Sequence, residues 1–202
     1  MATTTISVQM LFLKKDSKSI ILQENLTYEN DSKRINELLM IEQKNFCAYS
    51  ERYLMPLDAV EVEHFDPTDK NTQRDSYYNW YATLRWINNH KYKKLDTRFL
   101  PICFPHDESL EHRITYKDGI FVPIDENDFK IKHLIEFLGI NKPEVYLERL
   151  NHVKLIKNLR FLAGNEEIFK STLISFKQYL SFGTALRHEL GIDIFDYLLE
   201  NQ

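Results

Sequence analysis

The chain holds one run in which an acid, an imidazole and two amides stand in an order that could do chemistry: Glu63-His64, then Asn79, then Asn88. An acid before a histidine is common and recurs here at Glu111-His112. What raises His64 is the whole run from Val60 to Pro67, the polar loop behind it, and the two asparagines nine residues apart. Alternation sets Val60, Val62 and His64 on one strand face and Glu61 and Glu63 on the other. Pro67 stops the strand, so His64 is expected at a strand end beside a loop. Such a set could support metal-assisted phosphodiester cleavage. Glu63 and Asn88 would offer a carboxylate and a carbonyl oxygen to a hard divalent cation, Mg²⁺ or Mn²⁺. The ion would neutralise the phosphate and stabilise the leaving oxygen. A neutral His64 would take a proton from water, and Asn79 would fix the imidazole or its loop. Both asparagines also suit plain loop and helix caps.

A phosphodiester needs cations nearby. Arg85, Lys91, Lys93, Lys94 and Arg98 supply them, opposed only by Asp96, with Trp80, Tyr81, Trp86 and Tyr92 interleaved for stacking. The same residues would also make a solvated helix face with its aromatics turned inward. His112, His133, His152 and His188 have no partner suggested by spacing and are read as structural.

The elements that must position these groups follow from periodicity. Residues Ile6 to Leu13 alternate as a strand. Residues 16–30 read as loop, with an extended piece at Ile20 to Leu22. A helix is expected from Asp31 to near Phe46, burying Ile35, Leu38 and Leu39. Val60 to Phe65 reads as a strand, residues 66–76 as a loop, and Asn79 to Lys91 as a strand running into a helix. Beyond, Ile131, Leu134, Ile135 and Leu138 mark a helix that Gly139 ends. Pro143 opens a second helix, which Gly164 breaks. Asn165, Glu166 and Glu167 open a third, running to about Phe182, and a last short helix is expected from Asp193 to Leu199. Leu173, Phe176, Tyr179 and Leu180 fall near one helical face, as core or as an interface.

Composition sets outer limits. With 202 residues, 43% hydrophobic and 28% charged, the chain is an ordinary globular one, and a single compact α+β unit is expected. No apolar run is long enough to span a bilayer, and the N-terminus lacks the features of a secretory signal, so a cytoplasmic protein with no membrane partner is expected. The net charge of −4 gives no global pull toward nucleic acid, so any such contact must be local. Two cysteines cannot build a disulfide scaffold or a four-thiolate zinc site.

Taken together, the residues from Glu42 to Glu51 (EQKNFCAYSE), Val62 to Pro67 (VEHFDP), Asn79-Trp80 and Asn88 to Lys91 (NNHK) resemble the HNH endonuclease family. The likeness is nearest to the subgroup that accompanies ATPases in bacterial anti-phage systems of the Septu and retron-associated kind. It extends through Tyr116 to Ile120 and Leu138 to Asn141, with Leu147 and Arg149 beyond, and so covers about residues 40–160. The resemblance implies a ββα-metal core at about residues 40–98, with a helical region at about 126–202. It implies His64 as general base, Glu63 as acidic metal ligand, Asn79 as the central asparagine, and Asn88 as the last ligand, with His90 as its rival. Arg85, Lys91, Lys93 and Lys94 would face nucleic acid. It further implies a nuclease subunit of a defence complex with an ATPase partner, acting on DNA ahead of RNA, or a catalytically silent subunit that keeps the fold and docks on that partner. The chain departs from the subgroup at its zinc knuckle. Cys47 remains, but Ser50, Leu84 and Ile87 stand at the other three positions. No structural zinc is therefore expected. Leu84 and Ile87 would fill that space by packing instead, at roughly 1.5–3 kcal/mol per buried side chain.

Overall fold

The structure is a computed structural model in which residues 12–198 are described. It is a mixed α+β protein with two small antiparallel sheets. The strand expected at Ile6 to Leu13 lies outside the described residues except for Phe12 and Leu13, which are buried. Residues Ile20–Gln23 form a short helix, α1, where an extended piece was expected. Ser19 explains the difference, because its hydroxyl accepts the Ile21 N–H and caps the turn. Helix α2 runs over Tyr28–Glu42, earlier at both ends than the apolar pattern suggests.

Strands β1 (Val60–His64) and β2 (Trp80–Leu84) pair antiparallel, with Val60 opposite Leu84 and His64 opposite Trp80. Helix α3 (Arg85–His90) follows β2 with no intervening loop. Period-2 alternation then divides the hairpin. Val60, Val62, Trp80 and Ala82 pack with Ile35 and Leu39 of α2 in a small core. Glu61 and Glu63 point the other way, toward α3 and the residues after it. The Gln43 side chain pins β2 from α2. Its amide accepts the Ala82 N–H at 2.9 Å and donates to the Ala82 carbonyl at 2.8 Å.

The second sheet, β3 (Ile114–Lys117) and β4 (Ile120–Pro123), is a hairpin that the apolar periodicity does not reveal. Asp118 and Gly119 turn it, both at positive φ (51° and 88°), the backbone of a tight two-residue turn. Helices α4 (Phe129–Leu138), α5 (Pro143–Ala163) and α6 (Glu166–Ser175) fall where their caps place them. Gly139 and Gly164 end the first two in the left-handed conformation, and Asn165 caps the third by accepting the Ile168 N–H at 2.9 Å. The third helix stops at Ser175 rather than Phe182; a 3₁₀ turn (Lys177–Leu180) follows, then α7 (Gly183–Leu190) and α8 (Phe195–Leu198). The main core joins Phe46, Tyr81 and Ile87 to α4, α5, α6 and α7, so the hairpin and the helices share one interior. No helix among the described residues is long and apolar enough to cross a membrane.

Candidate active site around His64

His64 ends β1 on the face shared with Val60 and Val62, as alternation requires. Its imidazole is nearly enclosed. The Tyr28 ring meets it edge-on at 4.5 Å, and Nε2 lies 3.2 Å from both carboxylate oxygens of Asp75. Asp75 is itself held by the Trp80 indole N–H and by the Asn71 N–H at 2.9 Å. An ionised carboxylate only accepts, so Nε2 carries the proton and Nδ1 keeps the lone pair. Burial lowers the imidazole pKa against the pull of Asp75, which keeps the ring neutral at neutral pH. Beside the pair lies an open pocket of about 400 Å³ whose lining includes Tyr28, Asn71, Thr72, Asp75 and Trp80.

Asp75 is absent from the residues expected on sequence grounds. It shares a polar loop with Asp66 and Asp69, and nothing in spacing distinguishes the three. The one available signal is Trp80, whose buried N–H needs an acceptor.

Asn79 grips the chain just past the histidine. Its Oδ1 accepts the Asp66 N–H at 2.7 Å and its Nδ2 donates to the Asp66 carbonyl at 3.0 Å. The Asn79 carbonyl also accepts the Phe65 N–H at 2.8 Å. The side chain therefore fixes the loop that leaves His64 rather than the imidazole itself.

Glu63 points to the opposite face and is buried. Its Oε1 lies 2.6 Å from Nζ of Lys91, and the two side chains are 7% and 1% exposed. Burial raises the Glu63 pKa and lowers that of Lys91, each against the attraction of the other. Lys91, expected on the exposed basic face, is thus an interior residue. The chain turns inward as α3 ends, which carries the lysine under β1. Asn88 meets Glu61 rather than Glu63. Its Nδ2 donates to Glu61 Oε2 at 2.9 Å, while Lys93 donates to its carbonyl and to its Oδ1. His90 lies on the exposed side of α3, stacked on Trp86 at 4.0 Å.

Arg85, Lys93 and Lys94 are exposed as expected, although Arg85 also pairs with Glu61 at 2.6 Å. Leu84 and Ile87, expected to fill space by packing, are buried in the same core as Cys47, and Ser50 is buried as well.

The expected divalent ion does not fit this arrangement. Glu63 and Asn88 each already hold an ammonium, and a dication beside either would meet a like charge; the alternative ligand, His90, turns its Nδ1 to the Trp86 carbonyl at 2.7 Å. Among the described residues, no three His, Cys, Asp or Glu side chains gather at one point.

Comparison with protein-family models, with curated proteins and with solved structures finds no match for this chain.

Proposed function

We propose that the chain is an HNH-type endonuclease that hydrolyses phosphodiester bonds of nucleic acid, DNA ahead of RNA, as the effector subunit of an ATPase-linked anti-phage complex. The Asn79 clamp carries this reading. An amide that takes both main-chain groups of Asp66 holds the strand end bearing His64 in a fixed pose, the loop-fixing task expected of Asn79 on sequence grounds. The antiparallel β1–β2 pair running directly into α3 is consistent with a ββα core.

The roles of the chain's own residues follow. Asp75 holds Nε2–H, so Nδ1 of His64 is the atom that takes a proton from water. The exposed Arg85, Lys93 and Lys94 draw the phosphate backbone to α3, and the stacked Trp86–His90 pair offers an aromatic surface. Tyr28 or the 66–76 loop must move before a phosphate can reach His64, because the imidazole is buried.

The Glu63–Lys91 pair favours a second reading, a catalytically silent subunit that keeps the fold and docks on an ATPase. Plasmid cleavage separates the two. Wild type, Lys91→Ala and each combined with His64→Ala are incubated with supercoiled DNA and Mn²⁺. Nicking by wild type or by Lys91→Ala, abolished by His64→Ala, is the expected outcome. Intact plasmid throughout, together with co-purification with an ATPase, would establish the silent reading instead.

A further inference from the structure

Lys91 is buried beneath the β1–β2 pair, and its surroundings are specific. Its three N–H bonds meet three oxygens: Glu63 Oε1 at 2.6 Å, the Phe65 carbonyl at 3.0 Å and the His64 carbonyl at 3.1 Å. The Phe137 ring stands 4.5 Å away. A surface ion pair needs no such cage, and a buried one is costly unless its remaining donors are met. Here every donor is met. One carboxylate and two main-chain carbonyls converging on a single point are also the donor set that a hard metal ion selects.

The charges around the seat point the same way. Among the described residues, Glu63 is the carboxylate in direct contact with the ammonium, with Asp66 attracting it from farther off, so one positive charge balances Glu63. The neighbouring Glu61 is already engaged by Arg85 and Asn88, and Asn88 by Lys93. A dication entering while Lys91 stays would leave a surplus positive charge in the interior.

We infer that Lys91 is the resident cation of this seat: its ammonium stands where a divalent ion would bind Glu63, and the chain loads no ion there until Lys91 withdraws. This deepens the nuclease reading, because it makes ion loading depend on the position of one side chain. The stretch that follows α3 holds that side chain in place, with the Tyr92 N–H donating to the Phe137 carbonyl at 3.3 Å. A partner that pulled this stretch away from α4 would vacate the seat.

Ion binding is measured apart from cleavage, so the two readings can fail separately. The full-length chain is titrated with Mn²⁺ and free ion is followed by electron paramagnetic resonance, with thermal melts alongside. Wild type and Glu63→Gln are expected to bind Mn²⁺ equally weakly. Lys91→Ala is expected to bind one Mn²⁺ at least about tenfold more tightly than wild type, with a higher melting temperature when the ion is present. Lys91→Ala combined with Glu63→Gln should lose that gain. A wild-type site that Glu63→Gln abolishes would overturn the inference, as would a folded Lys91→Ala with no gain. Folding of Lys91→Ala only in the presence of Mn²⁺ would support it. Should that variant fold in neither condition, the comparison of wild type with Glu63→Gln decides.

Discussion

An amide that donates to and accepts from the same residue has no close substitute among the side chains. Asn79→Ala removes both bonds to Asp66 and leaves two main-chain groups without these partners. A loss of about 2–3 kcal/mol is expected in urea denaturation. Asn79→Asp keeps the acceptor and should lose less. The places of His64 and Asn79 were legible in the sequence because they rest on local order: a strand end, a proline stop and an amide at the next strand entry. Asp75 was not, since its meeting with His64 depends on how an eleven-residue loop folds back. Lys91 was misplaced for a related reason. A cluster of basic residues reads as surface, and only the path of the chain leaving α3 reveals that one member is drawn inside.

Elements with local start and stop signals were legible and the rest were not. The onset of α5 and the ends of α4 and α5 follow from Pro143, Gly139 and Gly164, and Asn165 supplies the cap of α6. The β3–β4 hairpin has only the Asp118-Gly119 pair to announce it, and its four-residue strands are too short for alternation to stand out. Gly119 matters twice. At φ 88° a side chain is strained, and a Cβ there would come within 2.6 Å of Tyr146 Cε2 and 3.0 Å of Leu150 Cδ2 on α5. Its carbonyl also accepts from the buried Arg149 at 2.7 Å, whose other arm reaches the Ile140 carbonyl at 2.6 Å. Gly119→Ala should therefore destabilise the chain by about 1–3 kcal/mol, read as a lower melting temperature. The same substitution at Gly164, where a Cβ meets open space, carries only the backbone cost and serves as the control.

At the scale of the whole molecule, a carboxylate ties two distant parts of the chain together. Glu51, at φ 60° in the turn after Phe46, accepts the Thr184 N–H at 2.8 Å and the Thr184 hydroxyl at 2.6 Å, and its carbonyl accepts the Phe182 N–H at 2.7 Å. Helix α7 thus takes its N-terminal cap from a residue 133 positions earlier, which is why no local signal announces it. Glu51→Ala and Thr184→Ala should each cost about 2–3 kcal/mol. Their double-mutant cycle should return a coupling of about 1–3 kcal/mol; additivity would show that the two do not act as one unit. This clasp has a consequence for how the protein is made. During synthesis the hairpin leaves the ribosome well before Thr184 does, so the turn beneath it waits for its fastening. The half that carries the β1–β2 pair is set firmly only when the C-terminal helices arrive, and an interrupted chain would carry that pair on a foundation that is still open.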